Sequence, residues 1–171
     1  MRNELILLSL GIACFTAVGC AATPGGTKDV SDRRLAAFDE LDYEAFSKQN
    51  WELFHKTHTD DVVVVWPDGH ETKGFDKHIE DLKYMFSYAP DTRITAHPVK
   101  VASGDWTAVI GDMTGTFSRP MVMPDGTTIP PTGKTFKLQM STFAHWNGEK
   151  FDKEILMWDN QTFMRQIGLA K

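Results

Sequence analysis

Apolar residues recur along the chain with two periods, and the change from one to the other divides it. From Ser31, an N-cap residue type, Leu35, Phe38 and Leu41 follow at near-helical spacing, and Tyr43, Phe46, Leu53 and Phe54 carry the stripe to about Thr57. This predicts a helix pair or one bent helix. Val62, Val63, Val64, Val65 and Trp66 form a continuous β-branched run, which predicts a strand covered on both faces, and Pro67-Asp68-Gly69 turns it into a short partner around residues 70–73. Phe75, Ile79, Leu82 and Phe86 then follow the i, i+4, i+7, i+11 stripe of an amphipathic helix over residues 74–88, closed by Pro90. Strands are predicted over residues 92–103, 106–118, 134–146 and 150–158, with Asp125-Gly126 and Asn147-Gly148 as hairpin signals, and a short helix over 160–169 carries Phe163 and Ile167 four apart. Helices first and a meander of long antiparallel strands afterwards give an α+β domain whose curved sheet wraps the helices.

The first thirty residues follow neither period. After Met1-Arg2-Asn3-Glu4, residues 5–18 are almost unbroken apolar, too few to cross a hydrocarbon layer of about 30 Å as a helix but of the length of a secretory h-region. The run ends Thr16-Ala17-Val18-Gly19-Cys20-Ala21, which resembles the bacterial lipobox, in which the cysteine is acylated and becomes the first residue after cleavage. The expected organisation is a signal peptide at 1–19, acylated Cys20 and a flexible tether to residue 30, and one domain at 31–171. By the sorting rule of such lipoproteins, Ala21 after the cysteine implies the outer membrane in a source that has two membranes. Localisation would be the cell envelope, extracytoplasmic, with the membrane as partner through the lipid anchor alone.

Composition narrows the chemistry. Eighteen Lys and Arg against 23 Asp and Glu leave a net charge of −5, so no basic surface is available for a nucleic acid. Both cysteines, Cys14 and Cys20, lie in the first twenty residues, which removes thiolate nucleophiles, thiolate metal sites and disulfides from the body of the chain. Pro130-Pro131-Thr132-Gly133-Lys134-Thr135 ends like a phosphate loop but has Thr128 where that loop needs glycine. His55 and His58, at i, i+3 with Asp60 and Asp61 after them, have a spacing that could hold a metal, but no third ligand is marked and a solvated helix end is the simpler reading. No Gly-x-Ser-x-Gly elbow occurs. No metal and no organic cofactor are expected.

Short motifs in a fixed order carry a family resemblance over about residues 45 to 169. Trp51, Asp61-Val62-Val63, Pro67-Asp68-Gly69, Gly74, Met113-Thr114-Gly115-Thr116-Phe117, Pro131-Thr132-Gly133-Lys134, Trp158-Asp159 and Gln166-Ile167-Gly168-Leu169 together resemble the SnoaL-like polyketide cyclase, or ester cyclase, group. The resemblance implies a nuclear transport factor 2-like cone with an internal pocket and cofactor-free, aldol-type ring closure through an aspartate near the C-terminus. By position that aspartate is Asp159, and a histidine on the preceding strand falls on His145. Many members carry histidine after Thr-Gly-Thr, where this chain has Phe117.

The expected site follows from that pair. If Lys153, Ile155, Met157 and Asp159 share an inward face with Phe143 and His145 of the neighbouring strand, acid and base converge, with Trp66, Tyr84, Phe143 and Met157 as apolar wall and Asp112 as a further polar group. Asp159 would be the general base beside a carbonyl and His145 the hydrogen-bond donor to its oxygen. Three competing readings stay open. Asp159 caps the last helix, His145 faces solvent, and Asp112 serves a cross-strand partner. Function is correspondingly expected as cyclisation or isomerisation of a small apolar carbonyl compound, or as binding of such a molecule without turnover, which an envelope location favours, or as protein interaction, with the open sheet face pairing two subunits or receiving another envelope protein.

Overall fold

The computed structural model describes residues 24–171; the signal segment and Cys20 lie outside the described residues. Helix α1 (Pro24–Glu40) begins seven residues before the sequence pattern places it, and takes in much of the expected tether. Asp29 and Arg33, one turn apart on its exposed side, form an ion pair that supports this early start. Its buried stripe is Arg34, Phe38 and, just beyond the helix, Leu41. Arg34 holds the helix to two turns, donating to the Gly104 and Gly148 carbonyls at 3.0 and 3.2 Å, and its guanidinium lies 5.4 Å from the Trp146 ring.

The chain then widens into a π-helical turn, Leu41–Phe46, with i→i−5 bonds from Ser47 N–H to the Asp42 carbonyl (3.1 Å) and from Asn50 N–H to the Ala45 carbonyl (2.8 Å). Leu41, Asp42, Ala45 and Phe46 all face inward. A 3₁₀ turn (Trp51–Lys56) leads to β1 (His58–Val65), and a tight turn leads to β2 (Glu71–Lys73). Helix α2 (Phe75–Tyr88) buries Phe75, His78, Ile79, Leu82 and Phe86.

The predicted strand at 92–103 is interrupted: β3 (Arg93–Ile94) and β4 (Val99–Ser103) both pair with β5 (Trp106–Thr116), on either side of a break that contains Pro98. A two-stranded excursion, β6 (Met121–Val122) and β7 (Thr128–Ile129), carries the Asp125-Gly126 turn. Strand β8 (Thr135–Asn147) pairs along its length with β5 and turns through Asn147-Gly148, with Gly148 at φ +68°, into β9 (Lys150–Met157). The main sheet has the order β2-β1-β9-β8-β5-β3, with β4 also on β5. It is antiparallel except where β1 and β9 run parallel, a non-local closure that a meander of hairpins does not contain. Helix α3 (Asn160–Gln166) ends the fold.

Alternation decides which sheet face meets the helices. On β8, Phe136, Leu138, Thr142, Ala144 and Trp146 are buried, while Lys137, Gln139 and Phe143 face out. The core lies between this concave face and the helices, with Phe38 stacked on Phe151 at 5.7 Å and edge-on to Trp146 at 6.3 Å. Among the described residues no helix is long and apolar enough to cross a membrane.

Candidate functional site

Between the π-helical turn, α2 and the concave face lies a cavity of about 40 Å³, within about 490 Å³ of atom-free space counted out to its mouth. Leu41, Phe46, Leu82, Met113, Met140 and Leu156 make most of its wall, and the partly exposed indoles of Trp66 and Trp158, edge-on at 6.3 Å, stand on its open side. Four polar side chains interrupt this surface: Asp42, His78, Thr142 and Glu154. A mostly apolar hollow with a few converging polar groups has the form of a small-molecule site.

Asp42 is the head of a chain of charges. Its Oδ2 lies 2.7 Å from His97 Nε2, His97 Nδ1 lies 2.7 Å from Asp39 Oδ1, and Lys100 Nζ donates to Asp39 Oδ2 at 2.6 Å. Tyr43 stacks on the His97 ring at 4.7 Å. Burial pushes the Asp42 carboxyl above the usual carboxylate range, and the His97 hydrogen bond opposes this only in part. Burial pulls His97 down, but its bonds to Asp42 and Asp39 outweigh that and hold the imidazole above its ordinary value. Asp39, nearer solvent, is raised by burial and lowered more by Lys100 and His97, so it stays below the usual range. The line Asp42–His97–Asp39–Lys100 therefore connects the cavity wall to the surface through hydrogen-bonded titratable groups.

A second cluster sits beside the first. Glu154 Oε2 lies 3.5 Å from His78 Nε2 and 3.9 Å from His58 Nε2, and all three side chains are buried. Burial raises Glu154, against the pull of His78. Burial pushes His58 down to about 3, with the Phe54 carbonyl opposing, and His78 down to about 4, with Glu154 opposing. Both imidazoles are neutral at pH 7.

The expected site residues are placed elsewhere, with one exception. Trp66 lines the cavity and donates its Nε1–H to Thr72 Oγ1 at 2.8 Å. Asp159 is exposed at the N-cap of α3, accepting from Thr162 N–H at 2.9 Å and from the Thr162 hydroxyl at 2.6 Å, and those bonds hold its carboxyl below the usual range. His145 is on the convex face, its Nδ1 2.7 Å from Asp152 and its ring 5.1 Å from Trp106. Phe143 and Met157 share that convex side and are 38% and 53% exposed. Asp112 is also outward, accepting from Gln139 Nε2 at 3.2 Å. Tyr84 lies on the exposed side of α2, its hydroxyl 3.9 Å from Met123 Sδ.

Asp159 and His145 thus do not meet in the cavity, and the reason is strand phase. The face chosen for them is the polar one of β8, and the even-numbered residues point inward. That alternation was the available signal for Glu154, in phase with Leu156 and Trp158, while His78 falls within the buried arc of Phe75, Ile79 and Leu82. Asp42 carried a similar signal, since it lies four residues after Phe38 and seven after Leu35 on the buried stripe. Of the two histidines read as a pair, His55 is exposed and stacked on Phe75 at 3.8 Å, and only His58 turns inward.

The sequence model of the SnoaL-like polyketide cyclases matches residues 38–167. The chain belongs to that family. Its fold is found in a candidate SnoaL-like polyketide cyclase from Jannaschia sp. CCS1, at 16% identity, TM-score 0.73, covering 90% of this chain and 100% of that one. IdmH, a candidate polyketide cyclase from Streptomyces antibioticus, is 22% identical with TM-score 0.66 over 80% of this chain and 99% of its own. A protein of ketosteroid isomerase-like fold from Catenulispora acidiphila, solved with trimethylamine, is 14% identical with TM-score 0.63 over 82% and 95%. No curated protein matches the chain. This SnoaL-like domain therefore has the cone of that fold, a curved, unclosed sheet around helices.

Proposed function

We propose that this SnoaL-like domain takes a small, largely apolar, carbonyl-bearing molecule into the cone and moves a proton at the carbon beside the carbonyl, in a cyclisation or isomerisation run by side-chain acid–base chemistry. The observation that carries this reading is Asp42, a carboxylate in an apolar wall whose Oδ2 is held by His97 at 2.7 Å. A carboxylate shielded from water is a stronger base than one on the surface. Asp42 removes the α-proton, and His97, itself held by Asp39, fixes the carboxylate and carries charge toward Lys100. The enolate oxygen needs a hydrogen-bonding or cationic partner, and His78, Thr142 and Glu154 are the groups on the same wall that can supply one. Carbon–carbon bond formation from the enolate closes a ring; return of the proton to a different carbon isomerises the ligand.

Asp42→Asn tests this, since it keeps the shape and removes the base. NMR in deuterated water, with a β-keto ester as probe, should show enzyme-dependent exchange beyond the rate in buffer, abolished in the variant. Exchange that persists in Asp42→Asn overturns Asp42 as base, and a ligand that shifts cavity resonances without exchanging supports the alternative of a binding module.

One further reading rests on the convex face, where cross-strand neighbours Val101, Ala108, Phe143 and Ile155 form an apolar band flanked by exposed Val99, Trp106 and Met157. We propose that two copies pair there; Phe143→Lys should convert a dimer to a monomer in sedimentation. We also propose attachment through acylated Cys20 at the cell envelope, which mass spectrometry of the membrane fraction should show as acyl mass on a chain beginning at that residue.

A further inference from the structure

We propose that His58, His78 and Glu154 form a binding site for one divalent transition-metal ion, zinc in the first instance, with its open coordination position toward the cavity. The inference stands on the geometry of these three side chains and not on the acid–base reading of Asp42.

Three elements far apart in sequence, the start of β1, the buried arc of α2 and the inward face of β9, bring one donor atom each within 4.8 Å of one another. Zinc with nitrogen ligands at about 2.0–2.1 Å and oxygen at about 2.0–2.2 Å, tetrahedrally arranged, sets its ligand atoms about 3.3–3.5 Å apart. Glu154 Oε2 is 3.5 Å from His78 Nε2 and 3.9 Å from His58 Nε2, so small side-chain adjustments complete the geometry.

The hydrogen bonds of the cluster agree. His58 Nδ1 lies 3.1 Å from the Phe54 carbonyl and 3.0 Å from the Thr57 hydroxyl, which itself donates to that carbonyl at 3.3 Å; with the proton on Nδ1, donated to Phe54, Nε2 presents a lone pair toward Glu154. That outer bond is the arrangement that orients histidine ligands around metals. Among the described residues His58 Nε2 has no hydrogen-bond partner, and neither has His78 Nδ1, although both residues are at most 2% exposed. Buried polar atoms are nearly always paired, so the orphaned His58 Nε2, 3.9 Å from a buried carboxylate that also faces His78 Nε2, points to a missing partner of positive charge between the three. Two imidazoles and one carboxylate without a thiol suit zinc, cobalt or iron(II) rather than calcium or magnesium. Since His78 and Glu154 also line the cavity, the fourth position is reachable by water or by an oxygen of the cavity's occupant.

The test uses the purified full chain in detergent, stripped with a chelator and titrated with cobalt(II) chloride. The site predicts visible absorption bands of four-coordinate cobalt that saturate at one ion per chain and are displaced by one equivalent of zinc. His78→Gln and Glu154→Gln should each weaken binding at least tenfold, whereas exposed His55→Gln should leave it unchanged. Asp42→Asn should also retain the cobalt spectrum, which separates failure of this site from failure of the acid–base reading. Absence of stoichiometric binding by the unmutated chain overturns the proposal, as does an unchanged spectrum and affinity in folded His78→Gln or Glu154→Gln protein.

Discussion

Two imidazole–carboxylate pairs of this protein share a separation of 2.7 Å and little else: His97–Asp42 inside the cone and His145–Asp152 on the convex face. The side chains of the inner pair are 1% and 11% exposed, those of the outer pair 37% and 34%. Inside, low polarity strengthens the mutual attraction and shifts both groups, and the carboxylate faces an apolar hollow. Outside, water and salt screen the same contact until it contributes little. Chemistry therefore follows from which face of the sheet holds the pair rather than from its composition.

The widest separation between the pairs should appear in turnover. Asp42→Asn is expected to lower the rate of α-proton exchange about 10²- to 10⁴-fold, the usual worth of a positioned general base, while Asp152→Asn leaves it within about twofold. Exchange kinetics on both variants decide this, and equal losses would erase the distinction. Next in size is stability. His97→Ala strips the buried Asp42 carboxylate of its partner and should cost about 3–5 kcal/mol, whereas His145→Ala should cost less than about 1 kcal/mol, both read from urea unfolding.

The inner pair should also make stability depend on pH. Because His97 is held above its ordinary value of 6.5, its contribution to stability is fully present below 6.5 and is lost as pH rises through the folded value. Raised Asp42 changes in the same direction. His58 and His78, both lowered, lose stability only as pH falls below 6.5 and so do not disturb the upper window. Unfolding free energy should therefore decline above pH 6.5 in the unmutated protein, and the His97→Gln variant should show a flatter profile. The smallest effect is expected at the chain's end, where Asp159→Ala removes the cap of α3 and lowers the urea midpoint only slightly while proton exchange continues unaltered. A large loss of exchange in that variant would return the site to Asp159.

Much of the scaffold was legible because its signals are local. The α2 stripe, the Asn147-Gly148 turn and the long runs of β5, β8 and β9 each depend on residues adjacent in sequence, and their observed bounds differ from the expected ones by a residue or two. The break between β3 and β4 and the early start of α1 were not read, although Pro98 and the Asp29–Arg33 spacing were there to be seen. The candidate site was read less well than the fold. Trp66 lines the cavity, whereas Asp159 and His145 lie outside it, and the phase of β8, with Phe136, Leu138, Thr142 and Ala144 on the inner face, marks the opposite side from His145.

The amino-acid order alone thus determined the family, the α+β class and the two periodicities that build helices and strands, because each of these is set by neighbours a few positions apart. Only the tertiary structure decided that Asp42, His97, His58, His78 and Glu154 share one interior. Their meeting depends on packing of the helices on the concave face and on parallel pairing of β1 with β9, which joins residues about ninety positions apart and leaves no trace in local spacing.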